Sequence, residues 1–197
     1  MSLKRERRMY QNPVLELLSQ SGPKMMVTFH LFVIGCQLWI GNTQNNFEGI
    51  TRTHLSVFVL GIITWTMAEY LLHRYLFHIE GDSKWLKAFH FAMHGYHHST
   101  PNDANRLFMP PVPALLFLGL FFGMFYLFLG NLTWFFLPGF ELGYLLYSFI
   151  HYSVHTRRAP KGFEKLWHHH LLHHYKEPEK AFGVSSRIWD RIFKTLP

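Results

Sequence analysis

Four long apolar runs alternate with polar segments along the chain. From these runs we predict membrane-spanning helices at about residues 25–40, 55–72, 112–129 and 138–155. A helix needs about 17–25 apolar residues to cross a bilayer, so the second and third runs qualify and the first and fourth are marginal. Gly130 and Asn131 follow the third run, and Pro138 opens the fourth, where proline is tolerated at a helix start. The pattern predicts an all-α integral membrane protein whose four transmembrane helices form two hairpins.

A soluble protein with buried core helices is the alternative. Residues 117–128 have no polar face, however, and a helix that is apolar all round is hard to cover in a small domain. A length of 197 residues suits one domain. We predict a cytoplasmic N-terminal segment, 1–24, followed by a domain, 25–197, in which residues 73–111 and 156–197 form a cytoplasmic helical cap.

Basic residues are distributed unevenly around these spans. If the N-terminus is cytoplasmic, 18 of the 19 lysines and arginines lie on the cytoplasmic side, and only Arg52 lies outside. The positive-inside rule predicts this asymmetry for an even number of spans, so we expect both termini to be cytoplasmic. The formal net charge of +7 then reflects orientation and anionic lipid headgroups, and we expect no nucleic-acid partner.

Two further features limit the class of protein. The first apolar run begins at residue 25 without a nearby small-residue cleavage site, so we do not expect a removable signal peptide. Cys36, the single cysteine, excludes an intramolecular disulfide and a cysteine-based zinc site.

Ten of the fifteen histidines fall into four tight clusters in the polar segments or at the span ends, all on the predicted cytoplasmic side. They are His73 and His78; His94, His97 and His98; His151 and His155; and His170, His173 and His174. Neutral imidazole is the commonest protein ligand for zinc and iron. Ten candidates far exceed the three or four protein ligands of an ordinary zinc site, which indicates two metals.

Helical spacing decides how these histidines can converge. His94 shares a helix face with His97 or His98, and the same spacings recur from His170 and from His151 to His155. Adjacent histidines diverge by roughly 100° on a helix, so each His-His pair suits two neighbouring metals. His73 and His78 would point about 140° apart on a regular helix, so either the helix ends or distorts there or each serves a different metal.

The other polar candidates have more ordinary explanations. We expect His30 and His54 to be interfacial or packed, and His168 and His169, which precede the last cluster, are candidate outer-shell groups. His90, four residues before His94, is a further candidate ligand. Ligand histidines commonly donate their second N–H to a carboxylate or carbonyl, so Glu69 and Asp103 are candidate outer acceptors. No His-Glu-x-x-His motif is present, which disfavours a metalloprotease.

The position of the clusters beside a membrane favours redox chemistry. Hydrolysis by a zinc pair seldom needs a site against a bilayer. Lipid chains offer mainly C–H bonds, and breaking one requires a strong oxidant in a dry pocket, as an oxygen-activating iron pair supplies. Residues 108–111 before the third run are candidates to frame an acyl groove, with lipid-facing packing as the alternative.

The order of the four clusters resembles a known family. His-x4-His, His-x2-His-His, His-x3-His and His-x2-His-His, with the strings HRYLFH, HGYHH, RLFMPP and HHYKEPEKAFGVSSRIWDRIF, look like the fatty acid 2-hydroxylases of the membrane fatty acid hydroxylase superfamily. The resemblance covers roughly residues 65–193. It implies a diiron oxygenase that hydroxylates the carbon next to an acyl carbonyl with O₂ and that uses the ten clustered histidines as ligands. Imidazole sites do not exclude zinc, so zinc can replace iron in purified samples.

The resemblance has one departure and leaves alternatives open. About two dozen residues precede the first run, so we expect no N-terminal b-type cytochrome domain here. No Gly-x-Gly-x-x-Gly motif is present, so electrons should come from a separate b-type cytochrome or a ferredoxin with its reductase. Such a protein would lie in a bacterial inner membrane or, in a eukaryote, the endoplasmic reticulum.

The remaining alternatives are a sterol or carotenoid oxidase of the same superfamily, a metal-binding membrane protein, and a haem electron carrier. A metal transporter should place its ligands near the bilayer midplane, whereas these clusters lie at or beyond the span ends.

Overall fold

The fold is built from helices. The computed structural model describes residues 8–197; the first seven residues of the predicted cytoplasmic N-terminal segment lie outside the described residues. Within the described range there is no β-strand. The α-helices of that range are α1 (Pro13–Leu18), α2 (Pro23–Gln44), α3 (Arg52–Leu71), α4 (Lys84–His90), α5 (Tyr96–Ser99), α6 (Pro111–Leu129), α7 (Thr133–Thr156), α8 (Glu164–Tyr175) and α9 (Ile188–Ile192). The all-α prediction is therefore confirmed.

Local sequence signals explain where several of these helices begin. Pro13, Pro23 and Pro111 occupy the first turns of α1, α2 and α6, where a missing N–H breaks no helical bond. The Thr51 hydroxyl accepts the His54 N–H in a capping box at the start of α3. The Ser83 side chain caps α4 in a similar way, through Leu86 N.

Within residues 8–197, three helical stretches are long and apolar enough to cross a membrane. They are Pro23–Gln44, Arg52–Phe77 and Ala104–Thr156. The third contains both α6 and α7, separated by a short turn in which Gly130 has a φ of +53°. The ring centroids of Phe125 and Phe136 lie 4.7 Å apart, and those of Phe121 and Phe140 lie 4.9 Å apart. Pairing in this order means that α6 and α7 form an antiparallel hairpin.

Helix α7 lies at the centre of the fold and packs closely along α3. A Cβ atom added to Gly139 would lie 1.9 Å from the Phe58 carbonyl oxygen, and one added to Gly61 would lie 2.2 Å from the Phe136 oxygen. Small residues at these positions allow the two backbones to approach, as in membrane helix pairs. Position 58 of α3 meets position 139 of α7, and Trp65 meets Gly143, so the two helices run in the same direction.

The predicted start of the fourth apolar helix was wrong. Helix α7 begins at Thr133, and Pro138 lies inside it and is buried. Gly139 next to it packs against the Phe58 backbone of α3, with no room for a Cβ atom. The Pro-Gly pair therefore belongs to the packing of α3 against α7, and the helix begins five residues earlier, directly after the Gly130–Leu132 turn. Helix α2 likewise extends past the predicted 25–40 at both ends.

A buried polar cluster joins α2 to α7. His30 Nδ1 lies 2.6 Å from Glu141 Oε1, and Gln37 Nε2 donates to Glu141 Oε2 at 2.8 Å. All three side chains are buried. The expectation that His30 is packed within the fold is confirmed, and its partner is the only acidic residue of α7.

The histidine-bearing segments gather at one end of the central helices. Because α3 and α7 are parallel, His73 just after α3 and His151 near the end of α7 lie at the same end of the fold. Helices α4 and α5 follow α3, and α8 and α9 follow α7. The chain after α8 returns to α3, where Trp189 Nε1 donates to Thr66 Oγ1 at 3.1 Å.

Candidate metal centre

The ten clustered histidines assemble into two groups of five. In each group, one nitrogen from every imidazole lies within 4.8 Å of the corresponding nitrogens of the other four. The first group is His73, His78, His94, His98 and His173. The second group is His97, His151, His155, His170 and His174. Each group combines side chains from both halves of the cap.

Neighbouring histidines contribute to different groups. In α5, His97 belongs to the second group and His98 to the first; in α8, His173 belongs to the first and His174 to the second. His173 Nε2 lies 3.0 Å from His78 Nε2, whereas His174 Nε2 lies 3.1 Å from His97 Nε2. The geometry follows the prediction that adjacent side chains on a helix diverge too far to reach one point.

A π-helix brings His73 and His78 into the same group. Residues Leu72–Phe77 form a π-helical turn, in which His78 N donates to His73 O at 3.3 Å across five residues. The two ring centroids are 5.2 Å apart. The helix therefore distorts at this point, which was one of the two alternatives, and π-turns of this kind are frequent at functional sites. A second π-turn, Phe91–Gly95, contains His94.

Helices α7 and α8 supply four of the five histidines of the second group. His151 and His155 are one helical turn apart, with their Nε2 atoms separated by 3.2 Å. His155 Nε2 lies 2.9 Å from His170 Nε2, and His170 Nε2 lies 3.0 Å from His174 Nε2. All five imidazoles of this group converge through their Nε2 atoms.

Burial keeps the grouped histidines of the cap uncharged. Desolvation, with a smaller contribution from neighbouring imidazoles, lowers the pKa of His78 and that of His98 to about 3. Desolvation also lowers the pKa of His173 to about 4 and that of His170 well below its usual range. Neutral imidazoles present free lone pairs, so the set suits two cations of the iron or zinc type.

A loop after α8 supports two histidines of the first group. His73 Nδ1 donates to the Phe182 carbonyl oxygen at 2.5 Å, and His173 Nδ1 donates to the Lys180 oxygen at 2.7 Å. Ala181, between the two acceptors, has a φ of +59°, which is uncommon for a residue with a side chain. Such bonds fix the imidazole tautomer and leave Nε2 free to bind a metal.

Two buried carboxylates fix this loop by accepting hydrogen bonds from its backbone N–H groups. Asp190 accepts the N–H groups of Phe182 and Gly183 at 2.9 and 2.8 Å. Glu69 accepts those of Val184 and Ser185 at 2.6 and 2.8 Å. The chain from 180 to 185, which we call the carbonyl loop, is therefore fixed on both sides.

The predicted roles of Glu69 and Asp103 need correction. Within the described part of the chain, neither accepts a hydrogen bond from a clustered histidine. Backbone carbonyls already occupy the acceptor positions behind His73 and His173, and Glu69 instead orders the carbonyl loop. Asp103 accepts from Arg106 at 2.6 Å and from the Tyr96 hydroxyl at 3.2 Å.

The remaining histidines lie outside the two groups. His169 Nε2 is 3.0 Å from Asp190 Oδ2, the carboxylate that holds the carbonyl loop. His168 is exposed. The His90 ring centroid lies 6.2 Å from that of His78, beside the first group without joining it. His54 caps α3 and stacks on Phe135 at 4.0 Å.

An apolar cavity of about 450 Å³ opens beside the histidines. His94, His97 and His151 line one part of it, and Phe121 and Phe140, between α6 and α7, line another. Phe108, Met109 and Pro110, from the predicted acyl groove, also line the wall. A long apolar molecule in this cavity would pass directly beside both histidine groups.

Comparison with known proteins identifies a family and several relatives. The profile of the fatty acid hydroxylase family matches residues 58–195. The fatty acid 2-hydroxylase of Rattus norvegicus is 40% identical over 171 residues, which cover 78% of this chain and 46% of the rat protein. The dihydroceramide fatty acyl 2-hydroxylase FAH2 of Arabidopsis thaliana is 36% identical, over 76% of this chain and 65% of its own length.

A solved structure is also similar. The hydroxylase domain seen in full-length scs7p superposes with a TM-score of 0.86 at 30% sequence identity, covering 95% of this chain and 71% of that one. The ceramide very long chain fatty acid hydroxylase SCS7 of Saccharomyces cerevisiae is 38% identical over 71% of this chain and 37% of its own length. The chain thus spans about half the length, or less, of most of the curated relatives that it matches.

Proposed function

The chain belongs to the fatty acid hydroxylase family, and from this premise we propose that it hydroxylates long-chain fatty acyl groups at carbon 2, using O₂ and two iron ions. The acyl group would be free or part of a sphingolipid. Several relatives are named fatty acid 2-hydroxylases, and others are named for ceramide or dihydroceramide substrates. The observation that carries the proposal is the pair of buried histidine groups beside an apolar cavity.

The two groups would each hold one iron ion. The first would use His73, His78, His94, His98 and His173, and the second His97, His151, His155, His170 and His174. When bound, the iron pair would supply the oxidising power needed to break an unactivated C–H bond. Zinc would fit the same imidazoles and can replace iron in purified protein.

The overall reaction fixes what must be delivered to the site. One C–H bond is replaced by C–OH, one O₂ molecule is consumed, and two electrons and two protons reduce its second oxygen atom to water. The electrons would come from a separate donor protein, such as a b-type cytochrome or a ferredoxin with its reductase. The absence of a dinucleotide-binding motif in the sequence supports a separate donor.

The residues of the chain would position the substrate and exclude water. The acyl chain would lie in the cavity along Phe121 and Phe140, with carbon 2 beside His97 and His151. Apolar walls keep water away from the reacting carbon and prevent side reactions. The carbonyl loop would keep His73 and His173 in the tautomer that presents Nε2 to the metal.

The membrane arrangement of the fold is also a proposal. Helices α2, α3, α6 and α7 would cross the bilayer, with residues 73–111 and 156–197 as the cytoplasmic cap and both termini in the cytoplasm. Leu127 and Phe128 near the end of α6 are each 82% exposed, as expected for side chains that face lipid. The distribution of basic residues supports the same orientation.

Lipid analysis with labelled oxygen tests the function. Cells with a long-chain acyl pool should accumulate 2-hydroxy fatty acids when they express the protein, and ¹⁸O₂ should label the new hydroxyl. Cells expressing a His170→Ala variant provide the control and should lack the product. Hydroxylation at an interior carbon, a sterol product, or label derived from water would each contradict the proposal.

A further inference from the structure

The two histidine groups differ in the hydrogen-bond acceptors available to the ring nitrogens that point away from the centre of each group. In the first group, His73 and His173 donate their Nδ1–H to carbonyl oxygens at 2.5 and 2.7 Å. Both acceptors belong to the carbonyl loop, on either side of Ala181. Both histidines are buried, so these bonds are shielded from competition with water.

The second group has no such support. Among the residues that the structure describes, the buried Nδ1 atoms of His97, His170 and His174 make no hydrogen bond. The Leu107 backbone approaches His151, but no hydrogen bond of good geometry reaches the Nδ1 atom. The Nε2 atoms of all four converge within the group, so Nδ1 is the nitrogen that would carry the proton.

This difference bears directly on metal affinity. A hydrogen bond from Nδ1–H to an acceptor fixes the tautomer, orients the ring and makes Nε2 a stronger electron donor. An imidazole with a buried and unpaired Nδ1–H has none of these advantages and bears the desolvation penalty of that group. In the first group two ring nitrogens have such an acceptor and one, His98 Nε2, is buried without a partner, whereas four lack a partner in the second group. The first group is therefore better prepared to bind an ion.

The carbonyl loop is held rigidly by Asp190. Asp190 is fully buried and accepts from Phe182 N, Gly183 N and the Thr195 hydroxyl, the last at 2.8 Å. His169 Nε2 lies 3.0 Å from its second oxygen. Asp190 thus receives four polar contacts and touches no ligand itself. Its hydrogen bonds reach the ligands His73 and His173 through the loop.

We propose that the two metal positions are unequal: the first group binds its ion more tightly and fills first, and Asp190 with His169 forms the positioning pair that creates the difference. The inference rests on the proposed function only in requiring a two-metal centre. Asp190 and His169 act by holding the Phe182 and Lys180 carbonyls against the ligand histidines. The second group, without equivalent acceptors, fills at higher metal concentration.

Cobalt titration of the metal-free protein tests the order of filling. Co²⁺ is added to the full chain in detergent against a competing chelator, and visible absorbance is followed. We expect two steps of one ion each, with dissociation constants at least about tenfold apart. His173→Ala should remove the tight step, and His174→Ala, its neighbour in the sequence, should remove the weak step.

A second set of variants tests the positioning pair. Asp190→Asn should weaken the tight constant by about 10–100-fold and leave the weak constant unchanged. Glu141→Gln is the matched control, because Glu141 is also a buried carboxylate paired with a histidine but lies away from the carbonyl loop. It should leave both constants unchanged. If Asp190→Asn does not fold, His169→Gln should weaken the same constant by a smaller factor.

The outcomes separate this inference from the proposed function. A total of one ion per folded chain would contradict the two-metal centre itself. Two ions of equal affinity would leave that centre intact and overturn the inequality. Loss of the weak step in His173→Ala would overturn the assignment of the tight site. An equal change of both constants in Asp190→Asn would mean that Asp190 stabilises the cap generally and has no selective role.

Discussion

His173 and His174 are neighbours in α8, yet their Nε2 atoms lie against different partners, His78 at 3.0 Å and His97 at 3.1 Å. Replacing either by alanine removes one ligand from one group and leaves the other group complete. Because the proposed reaction needs both ions, we expect each variant to lose hydroxylation of a long-chain acyl substrate completely. Product formation in membranes supplied with a reductase system is the measurement.

The control for this pair lies in the same helix. His168 is exposed and contributes to neither group, so His168→Ala should retain most of the activity. Equal losses in all three variants would mean that activity depends on the integrity of α8 and that the ligand assignment has no support.

The close packing of α3 against α7 leads to a second prediction. Gly139→Ala would place a Cβ atom 1.9 Å from the Phe58 carbonyl oxygen, a backbone atom that cannot move alone. We expect the substitution to separate the two helices and to lower the free energy of unfolding by about 3 kcal/mol or more. Thermal unfolding in detergent is the measurement. Gly35→Ala in α2, where nothing beyond the adjoining backbone of the same helix lies within 4 Å of the new Cβ, should be tolerated.

Two substitutions in the carbonyl loop should differ in their effect on its position. Gly183→Ala would put a Cβ atom 2.1 Å from the Ser186 oxygen and 2.8 Å from Asp190 Oδ2, so it should displace the loop. Ala181→Gly relieves a φ of +59° and should leave the loop in place. We expect the first variant to lose metal from the purified protein and the second to retain it, as measured by elemental analysis. Equal metal contents would remove the structural role given to the loop.

Parts of this site were accessible from the amino-acid sequence, and parts were not. The separation of His97 from His98 follows from the angle between adjacent helical residues, so it could be predicted. The π-turn at His73 could be stated only as an alternative, because its sequence has no distinguishing signal. The acceptors behind His73 and His173 are backbone carbonyls, which any residue carries. Asp190 lies in the string that resembles the family, but its role depends on a contact with a loop seven residues before it.

Pro138 illustrates a different limit. Proline is common at helix starts, so the Pro-Gly pair was assigned to a boundary. The tight crossing of α3 and α7 accounts for it instead, and no local pattern reports a contact with a helix about 80 residues away. Glu141 likewise could not be predicted as the partner of His30, since the two residues are 111 positions apart in the sequence.

The lowered pKa values of histidines in the cap predict how the stability of the metal-free protein changes as the pH falls. The folded pKa of His98 is about 3 and that of His173 about 4, both below the usual value of 6.5 in the unfolded chain. The unfolded state therefore takes up protons that the folded state does not as pH falls below about 6.5. Stability should be highest above that pH and decline steadily towards pH 4.

Thermal unfolding of metal-free protein between pH 7.5 and pH 5 is the test. The unfolding temperature should fall with pH, and it should fall less steeply in His98→Ala, which has one fewer histidine of this kind. A midpoint that does not change with pH would mean that the imidazoles are not held neutral by burial.

Membrane orientation gives the last prediction. Eighteen of the nineteen basic residues lie on one side of the proposed four-span arrangement, and α3 and α7 run in the same direction, so the histidine groups share that side. Reporters fused before Met1 or after Pro197 should be cytoplasmic, whereas a reporter inserted after residue 45, between α2 and α3, should lie outside. Accessibility to an impermeant label is the measurement. Termini on opposite faces would require an odd number of spans and would overturn the four-span arrangement.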